Sequence, residues 1–111
     1  MNIGESRPNR LSRAEARAVI REIAADGARI IFHRHAIARL AQRRILVTQV
    51  RHVVQTGAIT EGPWLDAQEC WRVEMQGRAA GTTLTVALAI LWPERLLVIT
   101  VYEPNERGGR R

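Results

Sequence analysis

The chain has 111 residues, 46% of them hydrophobic and 25% charged, with one cysteine and a net charge of +6. This fits one domain with its own core and excludes a disordered chain. The lone Cys70 excludes an internal disulfide and a cysteine-based metal cluster, and a reducing, cytoplasmic setting is expected.

Residues 1–10 are polar, contain Pro8 and are expected to be a flexible tail. They lack the apolar stretch of a signal peptide, and no later run approaches the ~18 apolar residues of a membrane span. Ser12 and Glu15 make an S-x-x-E capping box, so a helix is expected from there to about Asp26, stopped by Gly27. Its apolar stripe is Ala16, Val19, Ile20, Ile23 and Ala24. Arg13, Arg17 and Arg21 form a row on another face. Residues 28–32 are apolar and β-branched and suit a short strand or an extended lead-in.

A second helix is expected over residues 34–43. His35, Arg39 and Arg43 recur at intervals of four and share one face, while Ala36, Ile37, Leu40 and Ala41 line another that can meet the core. Thr48 can N-cap a third helix that ends at Gly57, with Leu46, Val50, Val53 and Val54 on its buried side.

After Gly57 the apolar period changes to two. Strands are expected over 58–61, closed by Gly62-Pro63, and over 70–76, 82–91 and 96–103, closed by Pro104. Trp64 falls in the loop between the first two, where it can cover the core or read a nucleotide, and covering the core is expected. In the second strand Trp71, Val73 and Met75 share one side, and Arg72, Glu74 and Gln76 the other. In the third, Leu84, Val86, Leu88 and Ile90 share a side. In the last, Leu97, Ile99 and Val101 oppose Leu96, Val98, Thr100 and Tyr102. Short connections make such strands antiparallel. The expected architecture is α+β, with N-terminal helices packed on one face of a roughly four-stranded antiparallel sheet, in one domain over residues 11–104. Residues 105–111 are a second flexible tail, and a basic one. The other sheet face is polar, basic and aromatic-bearing, which suits a binding platform.

All 17 basic residues are arginine. The guanidinium fork grips phosphate and stacks on bases, so a basic domain of this kind favours nucleic acid or an acidic protein partner. Histidine is the default acid or base near neutrality. At a helix start, His35 stands beside unpaired backbone N–H groups that can hold phosphate. Arg39 and Arg43 follow at one and two turns. The same three residues also suit a helix cap with a solvated face, and both readings stay open on the residues alone. Tyr102 can donate a proton or stack on a base. Arg34 and Arg72 are candidate nucleic-acid contacts. His33-x-His35 lacks a third ligand at suitable spacing, so no metal site is expected, and no cofactor.

His35-Ala36-x-x-Arg39-Leu40-x-x-Arg43, then Gly57-x-Ile59-x-Glu61, and the ending Val101-Tyr102-Glu103-Pro104 together resemble the bacterial domain-of-unknown-function family 4258 over about residues 30–104. Gln42 and Arg44 depart from it, standing where that family carries Glu and Gly. The family is similar to RelE/ParE-like toxins of the barnase–EndoU–colicin–RelE-like fold. The resemblance implies a small metal-independent endoribonuclease, as some members are, often paired with an antitoxin, with His35, Arg39, Arg43 and Tyr102 in its site; an acidic antitoxin-like partner is expected from the positive charge. A non-enzymatic basic module that binds nucleic acid or an acidic protein is the alternative.

Overall fold

The computed structural model describes residues 4–104; the basic tail of 105–111 lies outside them. In chain order the elements are helix α1 (Arg13–Ala24), a 3-10 turn (Gly27–Arg29), strand β1 (Ile30–Phe32), helices α2 (Arg34–Arg43) and α3 (Val47–Thr56), then strands β2 (Ala58–Leu65), β3 (Trp71–Ala79), β4 (Thr82–Leu91) and β5 (Arg95–Tyr102).

The Ser12 hydroxyl accepts the Glu15 backbone N–H at 3.0 Å, and the Glu15 carboxylate accepts the Ser12 N–H at 2.9 Å. These bonds engage two N–H groups that a helix start leaves open. They hold the Glu15 carboxyl below the usual range, the backbone bond first and the hydroxyl second. The five stripe residues of α1 are all buried. The segment before α1 meets the sheet through two indoles: Trp71 Nε1 donates to the Pro8 carbonyl and Trp92 Nε1 to the Gly4 carbonyl.

The sheet has five strands in the order β1-β5-β4-β3-β2. Strands β2 to β5 are antiparallel, as their hairpins require. The fully antiparallel, four-stranded expectation is corrected at the edge, where β1 pairs parallel with β5, Ile30 to Phe32 beside Leu96 to Val98. Such pairing joins segments far apart in the chain and leaves no trace in local periodicity.

Two further corrections have local causes. Strand β2 continues through Gly62-Pro63 to Leu65, with register shifts between Ile59 and Glu61 and between Glu61 and Trp64. Proline is tolerated there because β2 is an edge strand. In β5 the register slips opposite Ala87 and Leu88. A bulge inverts the alternation beyond it. Leu96, Val98 and Val101 therefore all face the core at 0% exposure, and Val98 and Leu96 do not share a side with Tyr102 as the simple alternation suggests.

One core lies between the helices and one sheet face. It joins Ile20 and Ile23 of α1, Ala36 and Leu40 of α2, and Val50, Val53 and Val54 of α3 to Val73, Met75, Leu84, Val86, Leu88 and Ile90. Helix α3 packs on β3 and β4, α2 on β5, and α1 on α3, β2 and β5. The stripes of α2 and α3 are narrower than expected, because Ile37 is 47% exposed and Leu46 is 64% exposed. Leu46 takes the N-cap position expected for Thr48, and the Gln49 side chain accepts its N–H at 2.8 Å. No helix among the described residues is long and apolar enough to cross a membrane.

Candidate functional site

The register places the second sheet face residue by residue. Trp64, Arg72, Ala89 and Leu97 form one row; Glu61, Glu74, Ala87 and Thr100 the next; Ala58, Gln76, Thr85 and Tyr102 a third. No helix residue joins these in the core cluster. The middle strand, β4, contributes only small side chains here. Thr85, Ala87 and Ala89 are 4%, 5% and 3% exposed, so longer neighbours cover them.

Tyr102 and Glu74 are those neighbours. The Tyr102 hydroxyl donates to Glu74 Oε1 at 2.7 Å. Its strand and that of Glu74 are separated by β4, so their backbones lie about 9.5 Å apart. The phenol therefore crosses above the floor of Thr85 and Ala87, which a larger residue would block. Gln76 Nε2 donates to Thr85 Oγ1 at 3.3 Å beside it.

Arg72 is half-buried at the other end of this face. Its guanidinium carbon lies 5.8 Å from the centroid of the Trp64 ring. Its Nε is buried without a partner, and the guanidinium forms no hydrogen bond or ion pair among the described residues. A cation partly withdrawn from water in this way favours an incoming anion.

Helix α2 does not lie on this face: it packs on β5 and buries Ala36 and Leu40 in the core with the other helices. β1 stops at Phe32, level with Val98, and the His33 N–H bonds to the Val98 carbonyl at 2.9 Å. The parallel pairing thus starts α2 beside the strand that ends in Tyr102. His33 is the N-cap of α2, and its Nδ1 accepts the His35 backbone N–H at 3.0 Å. One of the N–H groups expected to meet phosphate is therefore engaged by the protein. The His35 side chain is exposed, as are Arg34 and Arg43; Arg39 is half-buried. The structure brings Arg72 and Tyr102 onto one face, while His35, Arg39, Arg43 and Arg34 are carried on the neighbouring helix.

Matched by the model of the family described as "Domain of unknown function (DUF4258)" are residues 32–103. The chain belongs to the DUF4258 family. Its match runs from Phe32, the last residue of β1, to Glu103, and so takes in α2, α3, strands β2 to β5 and the whole polar face; α1 precedes it. No curated protein and no solved structure matches the chain.

Two residues of this candidate site were not placed in it by the sequence. Glu74 falls on the polar side of its strand by alternation, but nothing in the sequence pairs it with Tyr102, 28 residues away. Trp64, expected in a loop over the core, instead lies in β2 opposite Arg72 and is exposed, because the strand continues through Gly62-Pro63 where the sequence reads an end. Among the described residues, no three His, Cys, Asp or Glu side chains gather as metal ligands.

Proposed function

We propose that this DUF4258 protein is a small, cytoplasmic, toxin-like endoribonuclease that cleaves RNA on the polar sheet face without a metal. The observation that carries the reading is the Tyr102–Glu74 hydrogen bond, laid across a floor of small residues beside an arginine with no ion-pair partner among the described residues. Its support also includes the all-arginine positive charge and the resemblance of the His35–Arg43 and Val101–Pro104 stretches to family 4258, which is similar to RelE/ParE-like toxins.

In this reading an RNA 2′-oxygen attacks the neighbouring phosphorus and the bond from phosphorus to the 5′-oxygen breaks. The Tyr102 proton points at the Glu74 carboxylate, which leaves the phenol oxygen ready to accept a proton. The pair therefore suits the accepting side: the 2′-hydroxyl proton passes to Tyr102 as the phenol proton passes to Glu74. His35 supplies a proton to the departing 5′-oxygen. Arg39, Arg43 and Arg72 hold the phosphate as its charge develops, and Arg34 extends the contact with the strand. An acidic antitoxin-like protein fits the same arginine surface.

The test is cleavage of end-labelled RNA by the purified chain with excess chelator. Cleavage that survives the chelator and is lost in Tyr102→Phe and His35→Ala is expected. Absence of cleavage across all RNA classes sinks the enzyme reading. One observation favours a second reading, a non-enzymatic basic module for nucleic acid or an acidic protein: His35 is exposed, and its backbone N–H serves the His33 cap. That module binds RNA with a steep salt dependence, turns nothing over and is indifferent to His35→Ala.

A further inference from the structure

The chain has three tryptophans, and the structure treats one of them differently. Trp71 is 8% exposed and Trp92 is half-buried, and each indole N–H is bonded to a carbonyl of the N-terminal segment. Trp64 is 38% exposed, and its indole N–H has no partner among the described residues. It is nevertheless held firmly. Gly62, two residues before it, adopts φ +90°, a conformation that favours glycine. A Cβ at Gly62 would lie 2.8 Å from Trp64 Cε3 and 2.8 Å from the Arg72 carbonyl oxygen, so the indole lies against the Gly62 backbone beside Arg72. From α1, Arg13 Nε donates to the Gly62 carbonyl at 3.0 Å and fixes the bulge from outside the sheet. Bulges at sheet edges re-aim side chains, and this one sets an exposed indole against a guanidinium.

An exposed aromatic ring with a planar cation beside it matches a nucleobase joined to its phosphate. The ring system offers a stacking layer that tolerates any base, and the guanidinium offers bonds to phosphate oxygens. A base inside a duplex is already stacked and paired; an unpaired base can reach a sheet edge. We infer that Trp64 and Arg72 form a subsite that stacks one unpaired nucleobase and grips its phosphate at the β2 edge of the polar face. The inference rests on the RNA reading above, yet it concerns binding and not cleavage. Arg72 and Glu74 are successive same-face residues of β3, about 7 Å apart. A base stacked on Trp64 therefore sets a neighbouring phosphate near the Tyr102–Glu74 pair, and the subsite selects single-stranded substrate.

The probe is a 2′-O-methyl RNA hexamer, which cannot form the attacking 2′-oxygen, used alone and annealed to its complement. Binding to the full chain is read by anisotropy and by tryptophan fluorescence. The single strand is expected to bind more tightly than the duplex and to quench part of the fluorescence. Trp64→Ala is expected to weaken single-strand binding about 5- to 100-fold and remove the quenching. Trp64→Phe keeps an aromatic face and is expected to stay within about 3-fold of wild type, which guards against a folding defect in the alanine variant. Equal binding of strand and duplex, or a Trp64→Ala variant that binds like wild type, overturns the subsite. Cleavage of unmodified RNA is assayed in parallel. Trp64-dependent binding without cleavage keeps the subsite and removes the enzyme; cleavage with binding indifferent to Trp64 does the reverse.

Discussion

Replacing Tyr102 with phenylalanine removes one oxygen and leaves the ring across Thr85 and Ala87. The lost bond is a 2.7 Å phenol–carboxylate contact between half-buried residues. Hydrogen bonds to charged groups contribute about 1.5–3 kcal/mol when buried. Solvent screening at this depth reduces the figure to about 1 kcal/mol. For a domain of this size that corresponds to a fall in Tm of roughly 4 °C. The ring packing is kept, so the variant stays folded. If Tyr102 carries a proton in the reaction, cleavage falls far more than stability, by about 10²–10⁴-fold. Thermal denaturation followed by circular dichroism reads the first effect, and labelled-RNA cleavage under chelator reads the second. Glu74→Ala, which removes the acceptor, and the double variant complete a cycle, with a coupling of about 1 kcal/mol expected. A melting shift with unchanged cleavage would make the phenol structural only. Additive single and double variants would refute the bond itself.

Three further outcomes test the fold that holds this face in place. A Cβ at Gly57 would lie 2.6 Å from the Val53 carbonyl oxygen and 2.7 Å from that of Gln76, both backbone atoms, so Gly57→Ala must prise α3 from β3. A loss of about 1–3 kcal/mol in urea denaturation is expected, and a loss below about 0.5 kcal/mol would show that the contact gives way. Arg44 closes α2 at φ 55°, where non-glycine residues are strained. Arg44→Gly should therefore stabilise the chain by about 0.5–1 kcal/mol in the same assay. The depressed Glu15 carboxyl stabilises the fold above the ordinary glutamate range, and that contribution is lost as pH falls through its lowered folded-state value. Glu15→Gln should lower helix stability at neutral pH and flatten the acid dependence of melting; an unchanged acid slope would contradict this.

Much of the architecture is written locally. The Ser12–Glu15 box and the stripe from Ala16 to Ala24 state where α1 begins and what it buries. The alternation of Leu84, Val86, Leu88 and Ile90 states which side of β4 is core. Arg72, Glu74 and Gln76 already mark a polar side of β3. What stayed hidden depends on distant partners or on breaks in period. The pairing of β1 with β5 joins Ile30 to Leu96 across the whole chain. The bulge opposite Ala87 and Leu88 moves Leu96 and Val98 to the core side, away from Tyr102. His33, a weak capping type by propensity, caps α2 because its ring nitrogen can reach the His35 N–H. The site follows the same division. Tyr102 and Arg72 were legible as residue types on a polar face, whereas their partners Glu74 and Trp64 required the register.

The central claim is that RNA lies on the polar sheet face and not along α1, whose Arg13, Arg17 and Arg21 offer a competing basic surface. Titrating the isotopically labelled chain with the 2′-O-methyl hexamer and following backbone amide shifts by NMR tests this directly. The expected shifts concentrate at Arg72, Glu74 and Gln76 of β3, Thr85 to Ala89 of β4, and Thr100 and Tyr102 of β5, with a second group at His35 and Arg39. Shifts confined to Arg13, Arg17 and Arg21, with the β3 and β5 amides unmoved, would contradict the account.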